Sequence, residues 1–235
     1  MKITLDKVKE SSKRKDKILN DRNHWFSSIF STYLSYIFLK LKLSANQVTL
    51  LFLITGIFSI IFFSQDTIWT LLIGYILFRL HIIIDMCDGE VARFNNKFSE
   101  NGKYWDSLIH STLNPLFYFF STYPLLDLKL HSNLICLTFL TFSVSFLLFS
   151  KYNFQGEILK NKNEVAKRSL KRWIFFIISE LISIEGYILF ILILRIFEFQ
   201  NFILMTLVIS FTSINLISGF IKIVMISKRK FFPYK

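Results

Sequence analysis

Four side chains capable of acid–base or metal chemistry lie close together in the middle of an otherwise apolar sequence. Asp85 and Asp88 are three residues apart, and Asp106 and His110 are four residues apart. A helix turns about 100° per residue, so each pair would share one helix face. Charged side chains at membrane depth are costly and indicate a functional site. Paired aspartates on facing helices are hard oxygen ligands, which favours Mg²⁺ or Mn²⁺.

Small residues and one arginine accompany the acids. Gly89, Ala92 and Arg93 share the face of the first two aspartates, and Gly102 comes one turn before the third. Glycine and alanine let a substrate approach the backbone, and arginine offers a planar fork for phosphate oxygens. Two divalent ions about 4 Å apart clamp the attacking and leaving oxygens in phosphoryl displacements. These residues therefore suit phosphoryl transfer, in which catalysis is largely positioning and charge neutralisation.

The composition indicates that lipid surrounds the helices that carry these residues. Hydrophobic residues make up 53% of the 235 residues, and the mean hydropathy is +0.47. These values exclude an ordinary soluble domain. We predict an all-α integral membrane protein with six transmembrane helices, each of about twenty apolar residues. The predicted spans are residues 46–63, 68–93, 102–126, 133–150, 173–196 and 202–226.

Basic residues predict the orientation of these spans, because cytoplasmic loops collect lysine and arginine. Most cations fall in residues 1–24, in the 151–172 loop and in the tail, whereas the opposite loops hold only Lys129 and Arg195. Both termini and the motif ends of spans two and three are therefore predicted to be cytosolic. The net charge of +12 is explained by topology and anionic lipid, and it predicts no nucleic-acid partner.

The segments outside the spans differ from them in composition, and this predicts other roles. Residues 25–44 interleave aromatic and aliphatic residues with serine and tyrosine, which predicts an interfacial amphipathic helix. A seventh span there would place the basic N-terminus on the far side, which the cation count disfavours. Residues 1–24 are predicted to be a basic cytosolic arm, mobile over residues 1–20 and attracted to anionic lipid. Residues 45–227 would form a six-span catalytic domain, and residues 228–235 a basic cytosolic tail.

The run from Asp85 to His110 resembles the signature of the CDP-alcohol phosphotransferase family, written D-x2-D-G-x2-A-R-x8-G-x3-D-x3-D. Its 26 residues match at every fixed position except the last. A looser similarity is N-Q-V-T at residues 46–49, where many members have P-N-x-V-T and where Ala45 replaces the proline. The fold of the family, six spans after an interfacial helix and usually a homodimer, agrees with the hydropathy pattern.

The resemblance implies an activity and a role for each matching residue. In the family, conserved acids bind two divalent cations that hold the pyrophosphate of a CDP-linked donor, and the final aspartate deprotonates the acceptor hydroxyl as CMP is released. The resemblance therefore implies Mg²⁺ or Mn²⁺ as cofactor and membrane lipids as partners, with an acceptor alcohol that the sequence does not identify. By resemblance, the metal ligands are Asp85, Asp88 and Asp106, and the donor-site residues are Gly89, Ala92, Arg93 and Gly102.

His110 stands where the family has its last aspartate. A neutral imidazole accepts a proton near neutral pH and also ligates metals. We therefore predict that His110 is the catalytic base and an additional metal ligand, and that activity is retained. Two alternatives stay open: a subgroup with a different acceptor, and a chain that has lost activity.

A transporter of divalent ions or protons is the alternative from another class. It should carry polar groups along a route to the opposite surface, whereas here they concentrate at the cytosolic ends of spans two and three. Arg79 and Glu185 fall near mid-bilayer and predict an intramembrane ion pair, with substrate contact as the alternative. His81 would either orient the first aspartate or simply pack. Cys87 and Cys136 are predicted to be packing residues rather than a disulfide or thiolate site.

Overall fold

The computed structural model describes residues 3–12, 25–97, 100–126, 131–158, 183–197 and 201–231. All regular structure in these ranges is helical, with no strand, so the predicted all-α class is confirmed for them. The elements are α1 (Leu5–Ser12), α2 (Trp25–Lys40), α3 (Ala45–Phe63), α4 (Ile68–Asn95), α5 (Glu100–Thr122), a 3₁₀ turn (Tyr123–Leu125), α6 (His131–Ile158), α7 (Ile184–Ile196) and α8 (Asn201–Phe231).

Four of the described helices are long and apolar enough to cross a membrane. They are α3, α4 and the segments His131–Ser150 of α6 and Phe202–Val224 of α8, and each matches a predicted span within two residues. Helix α5 corresponds to the predicted span 102–126, but its polar first turns make it less apolar than these four. The predicted span 173–196 lies partly outside the described residues, and α7 covers its last 13.

Helices α3 and α4 form a close pair because small residues lie between them. A Cβ atom added at Gly56 would lie 2.7 Å from Nδ1 of His81, and one added at Gly74 would lie 2.8 Å from Cδ1 of Phe63. The hydroxyl of Ser59 donates to the Gly74 carbonyl oxygen at 2.8 Å. Small residues at a helix interface let backbones approach closely, which is how membrane helices gain packing energy. This pair carries the first half of the acidic motif.

Helix α2 packs along α4 through a row of serines. Ser27, Ser31 and Ser35 recur every four residues and are fully buried, whereas Phe30 and Tyr33 on other faces are about half exposed. Ser31 supplies two contacts: its hydroxyl donates to Oε1 of the α4 residue Glu90 at 2.8 Å, and its carbonyl oxygen accepts from the thiol of another α4 residue, Cys87, at 3.3 Å. The small polar face of α2 thus meets the protein, and its aromatic face points outward.

Helix α1 is folded against α2 and α4, which differs from the mobile arm predicted for residues 1–20. Val8 is fully buried there, and burial of a valine side chain contributes about 1.5–3 kcal/mol. The sequence prediction rested on the low apolar content of the whole segment, and a single well-placed valine does not change that average. Residues 13–24 of the predicted arm lie outside the described part of the chain.

Polar contacts attach α7 to the rest of the bundle. Arg79 of α4 and Glu185 of α7 form the predicted ion pair, and Nη2 of Arg79 also donates to the Ser27 hydroxyl at 3.1 Å. The hydroxyls of Tyr187 and Thr122 are 2.5 Å apart, which joins α7 to α5. The bundle is therefore held by specific polar links as well as by apolar packing.

The two cysteines are free thiols, in agreement with their predicted packing role. Cys87 is fully buried, and its thiol also donates to the Ile83 carbonyl oxygen of the preceding turn at 3.1 Å. Neither residue belongs to a disulfide. Through its contact with Ser31, Cys87 contributes to the packing of α4 against α2.

Candidate metal and phosphate site

Two helices bring three of the predicted site residues together. Asp85 lies on α4, and Asp106 and His110 lie one turn apart on α5. Nε2 of His110 is 3.3 Å from Oδ1 of Asp85 and 3.4 Å from Oδ1 of Asp106. The two faces predicted from helical spacing therefore do meet.

The size of this cluster fits a divalent cation. One ligand atom from each of Asp85, Asp106 and His110 lies within 4.8 Å of the other two. Atoms that share one Mg²⁺ at about 2.1 Å from it lie at most about 4.2 Å apart, so small side-chain rotations suffice. The Asp85 and His110 side chains are 27% and 26% exposed, so solvent and an ion reach them. Two carboxylates and an imidazole form a mixed oxygen and nitrogen donor set.

Asp88, the fourth predicted ligand, lies beside this cluster rather than within it. Its Oδ2 accepts a hydrogen bond from the Thr49 hydroxyl of α3 at 2.9 Å. Asp85 and Asp106 lie close enough for their charges to act on it. Thr49 ends the N-Q-V-T run, and no role for it follows from the sequence beyond that looser similarity. The site is thus built from three helices, α3, α4 and α5.

The predicted donor-site residues extend along α4 from the acids. A Cβ atom at Gly89 would lie 3.1 Å from Nη1 of Arg93, so the glycine leaves room for the guanidinium against its own helix. Both residues are half-buried. Ala92 lines a cavity of about 450 Å³. Gly102 is half-buried in the first turns of α5, one turn before Asp106. The structure therefore places all four on the two helices that carry the acids.

His81 packs against Phe52 of α3, as the packing alternative predicts. Its Nδ1 donates to the Phe52 carbonyl oxygen at 2.8 Å, and its ring stacks on the Phe52 ring with centroids 4.2 Å apart. The same phenylalanine ring lies 5.3 Å from the ring of His110 and is fully buried. Phe52 thus supports the imidazole of the site. No sequence signal distinguishes it among 28 phenylalanines.

Comparison with known proteins agrees with this arrangement. The sequence model of the CDP-alcohol phosphatidyltransferase family matches residues 42–214, more than half of the chain and all of the site. The chain belongs to this family. A curated relative is the Bifunctional IPC transferase and DIPP synthase of Archaeoglobus fulgidus, 33% identical over 76 residues. That match covers 32% of this chain and 15% of the relative, so the chain spans only a small part of that protein.

Proposed function

We propose that this chain is a membrane enzyme that transfers a substituted phosphoryl group from a CDP-alcohol, such as CDP-diacylglycerol, to an acceptor hydroxyl. CMP is the second product, as in phospholipid biosynthesis. The contact of His110 with both Asp85 and Asp106 carries this proposal, because it places the residue that departs from the family signature among the acids. Family membership supports the reaction class.

Asp85, Asp88, Asp106 and His110 would hold Mg²⁺ or Mn²⁺, and we propose two ions. Such ions neutralise the charge of a pyrophosphate during phosphoryl displacement. The mixed donor set supports this assignment, since carboxylates suit both ions and an imidazole favours Mn²⁺ over Mg²⁺.

The remaining residues bind and orient the donor. The Arg93 guanidinium would contact phosphate oxygens, while Gly89, Ala92 and Gly102 would let the nucleotide approach the helix backbones. The acceptor oxygen would bond to the phosphorus that carries the alcohol of the donor. The bond from that phosphorus to the bridging oxygen would break, and CMP would leave with that oxygen. His110 would receive the proton of the acceptor hydroxyl.

We also propose a membrane arrangement for the chain. The chain would cross the membrane six times after an interfacial α2, with both termini and the site on the cytosolic side, and would assemble as a homodimer. The four apolar helices support the multi-pass arrangement, and the distribution of cations supports the orientation. The acids converge at one end of α4 and α5, which favours an enzyme over the alternative of an ion or proton transporter.

The test is release of CMP by the purified protein. We expect release from CDP-diacylglycerol or another CDP-alcohol, with a panel of acceptor alcohols, that requires Mg²⁺ or Mn²⁺ and stops with EDTA. Asp88→Asn should lower the rate by about 10²-fold or more, the usual loss when a charge-stabilising group is removed. Asp66→Asn is the matched control, because Asp66 is an exposed residue paired with Arg195 at the start of α4.

Two results would contradict these assignments. If no donor and acceptor pair yields CMP with either metal, the proposed function is wrong. If Asp88→Asn turns over as fast as the wild type, Asp88 holds no ion that matters for the reaction.

A further inference from the structure

The Phe52 ring of α3 lies against the rings of two histidines, one of which belongs to the site. It stacks on the His81 ring with an interplanar angle of 20°. Its centroid is 5.3 Å from that of the His110 ring, and the two rings are tilted by 59°. Tilted pairs with centroids about 4.5–7 Å apart are a preferred arrangement of aromatic rings. The His110 imidazole therefore has a fully buried phenyl ring packed beside it.

The Phe52 ring is held in place by its surroundings. The Phe52 carbonyl oxygen accepts from Nδ1 of His81 at 2.8 Å and from the Thr55 hydroxyl at 3.0 Å. One turn later, a Cβ atom at Gly56 would lie 2.7 Å from Nδ1 of His81 and 2.5 Å from Cδ1 of Leu113 on α5. Glycine there makes room for both side chains. The closely packed interior therefore fixes Phe52 in one rotamer.

An imidazole at position 110 needs such a neighbour, because its function depends on ring orientation. The lone pair or hydrogen of Nε2 lies in the plane of the ring, and Nε2 is the atom that contacts Asp85 and Asp106. Rotation about χ2 of histidine is broad and roughly two-fold, and a half turn would place a carbon where Nε2 lies. The aspartate of the family signature has two equivalent oxygens, which a half turn only exchanges.

We propose that Phe52 is a positioning residue for His110, and that its ring fixes the rotation that turns Nε2 toward the two acids. The inference rests on the proposed function, because His110 is the residue that would receive the acceptor proton. Side chains that act in catalysis need their rotamers fixed by the packing around them. The departure from the family signature is thus accompanied by a neighbour that suits histidine. A purely structural role would make the loss of the ring independent of the residue at position 110.

A double-mutant cycle measures this dependence. Phe52→Leu removes the ring and keeps an apolar side chain, and it is made in the wild type and in His110→Asp. In the wild type we expect kcat for CMP release to fall about tenfold, since small misplacements of reacting groups cost up to about 10²-fold. KM for the CDP-alcohol should stay unchanged. In the His110→Asp background the factor should fall below about twofold, because a carboxylate has no ring to orient.

Phe63→Leu is the matched control for loss of a buried ring. Phe63 lies on the same helix and is 2% exposed, and its ring neighbours are Phe78 and Phe117, both with centroids 6.4 Å away. We expect this variant to lose thermal stability as Phe52→Leu does. Its kcat should change less than about twofold in either background.

The ¹⁵N chemical shifts of the His110 ring provide a readout that does not depend on turnover. They are measured on histidine-labelled protein in detergent with EDTA, and they are assigned by their loss in His110→Ala. These shifts report the hydrogen bonds of the ring nitrogens. Phe52→Leu should therefore move the Nε2 resonance, whereas Phe63→Leu should leave it at the wild-type position.

The outcomes separate this inference from the proposed function. Equal factors in both backgrounds, or a wild-type Nε2 shift in Phe52→Leu, overturn the inference and leave the proposed function standing. If His110→Asp does not turn over, the ¹⁵N shifts decide alone. A wild type that releases no CMP contradicts the proposed function, and the shifts still establish whether Phe52 orients the ring.

Discussion

His110 presents the same nitrogen to two acids, with Nε2 at 3.3 Å from Asp85 and 3.4 Å from Asp106. An imidazole nitrogen that ligates a cation has no lone pair left with which to accept a proton. The two roles proposed for His110, ligand and base, therefore exclude each other at Nε2 at any one moment. A measurement that detects nitrogen bound to the metal separates them.

Substitutions at His110 should distinguish the two roles. We expect His110→Ala to lower the rate of CMP release by about 10²–10⁴-fold, the contribution of a general base. His110→Asp should recover most of the rate, because a carboxylate both accepts protons and binds divalent ions. With Mn²⁺ bound, electron spin echo envelope modulation of the wild type should show a directly bound nitrogen, absent in both variants.

The outcomes for His110 are separable. A wild type without the nitrogen signal, together with an inactive His110→Ala, assigns the base role alone. Turnover of His110→Ala at the wild-type rate contradicts both roles.

For individual residues, the sequence predicts contacts along one helix better than contacts between helices. Helical spacing predicts that Asp106 and His110 share a face, and the structure confirms their contact. Thr49 and Phe52 reach the site from α3, and their part in it depends on how α3 lies against α4. Periodicity contains no information about that relative position, so the neighbours of Asp88 and His110 could not be derived from it.

At the scale of elements, α7 depends on its ion pair with α4. Glu185 and Arg79 have side chains that are only 10% and 21% exposed. Removal of one partner from such a pair leaves the other charge poorly solvated, which costs more than the intact pair contributes. The pair should therefore affect stability more than catalysis.

Glu185→Gln should destabilise the fold by about 3 kcal/mol, near the lower end for a broken buried pair. The double variant Arg79→Leu with Glu185→Leu should lose less, because no unpaired charge remains. Thermal unfolding in detergent, followed by intrinsic fluorescence, measures both. The exposed pair of Asp66 and Arg195 is the control, and Asp66→Asn should cost less than about 1 kcal/mol. An unchanged Tm with a raised KM in Glu185→Gln would instead support substrate contact.

The predicted helices agree best with the structure where a long apolar run defines them. Spans α3 and α4 begin and end within two residues of prediction. A long apolar run defines the body of each span, and the helical spacing of the motif residues extends the predicted α4 beyond Asp85. Helix α1 has no such signal, since Val8 is the one fully buried side chain described in it and its neighbours in the sequence are mostly polar. Helix α5 is less apolar than the four clear spans. Its position beside α4 is predicted from the spacing of the motif residues and not from hydropathy.

At the scale of the whole molecule, the site lies at one end of the bundle, and the proposed orientation places that end in the cytosol. Lys97 follows α4 next to the site, and Asp66 precedes α4 at the other end. The two positions are therefore markers for the two sides of the membrane.

Single cysteines should report this orientation. In a Cys87→Ser, Cys136→Ser background, Lys97→Cys should react with a membrane-impermeant maleimide only in inside-out vesicles. Asp66→Cys should react only in right-side-out vesicles. Labelling is read by gel shift, and the cysteine-free background provides the control. The opposite pattern for both positions would reverse the proposed topology.

Helix α4 has 28 residues and so rises about 42 Å, against a hydrocarbon thickness of about 30 Å. Its motif end would then stand at the boundary between lipid and water, where a nucleotide head group and acyl chains can be held at once. A lipid made there would enter a single leaflet, and its charged head group would oppose passage to the other. A membrane that grows by such an enzyme gains area on one side only, and a separate lipid-translocating protein would be needed to balance the two leaflets.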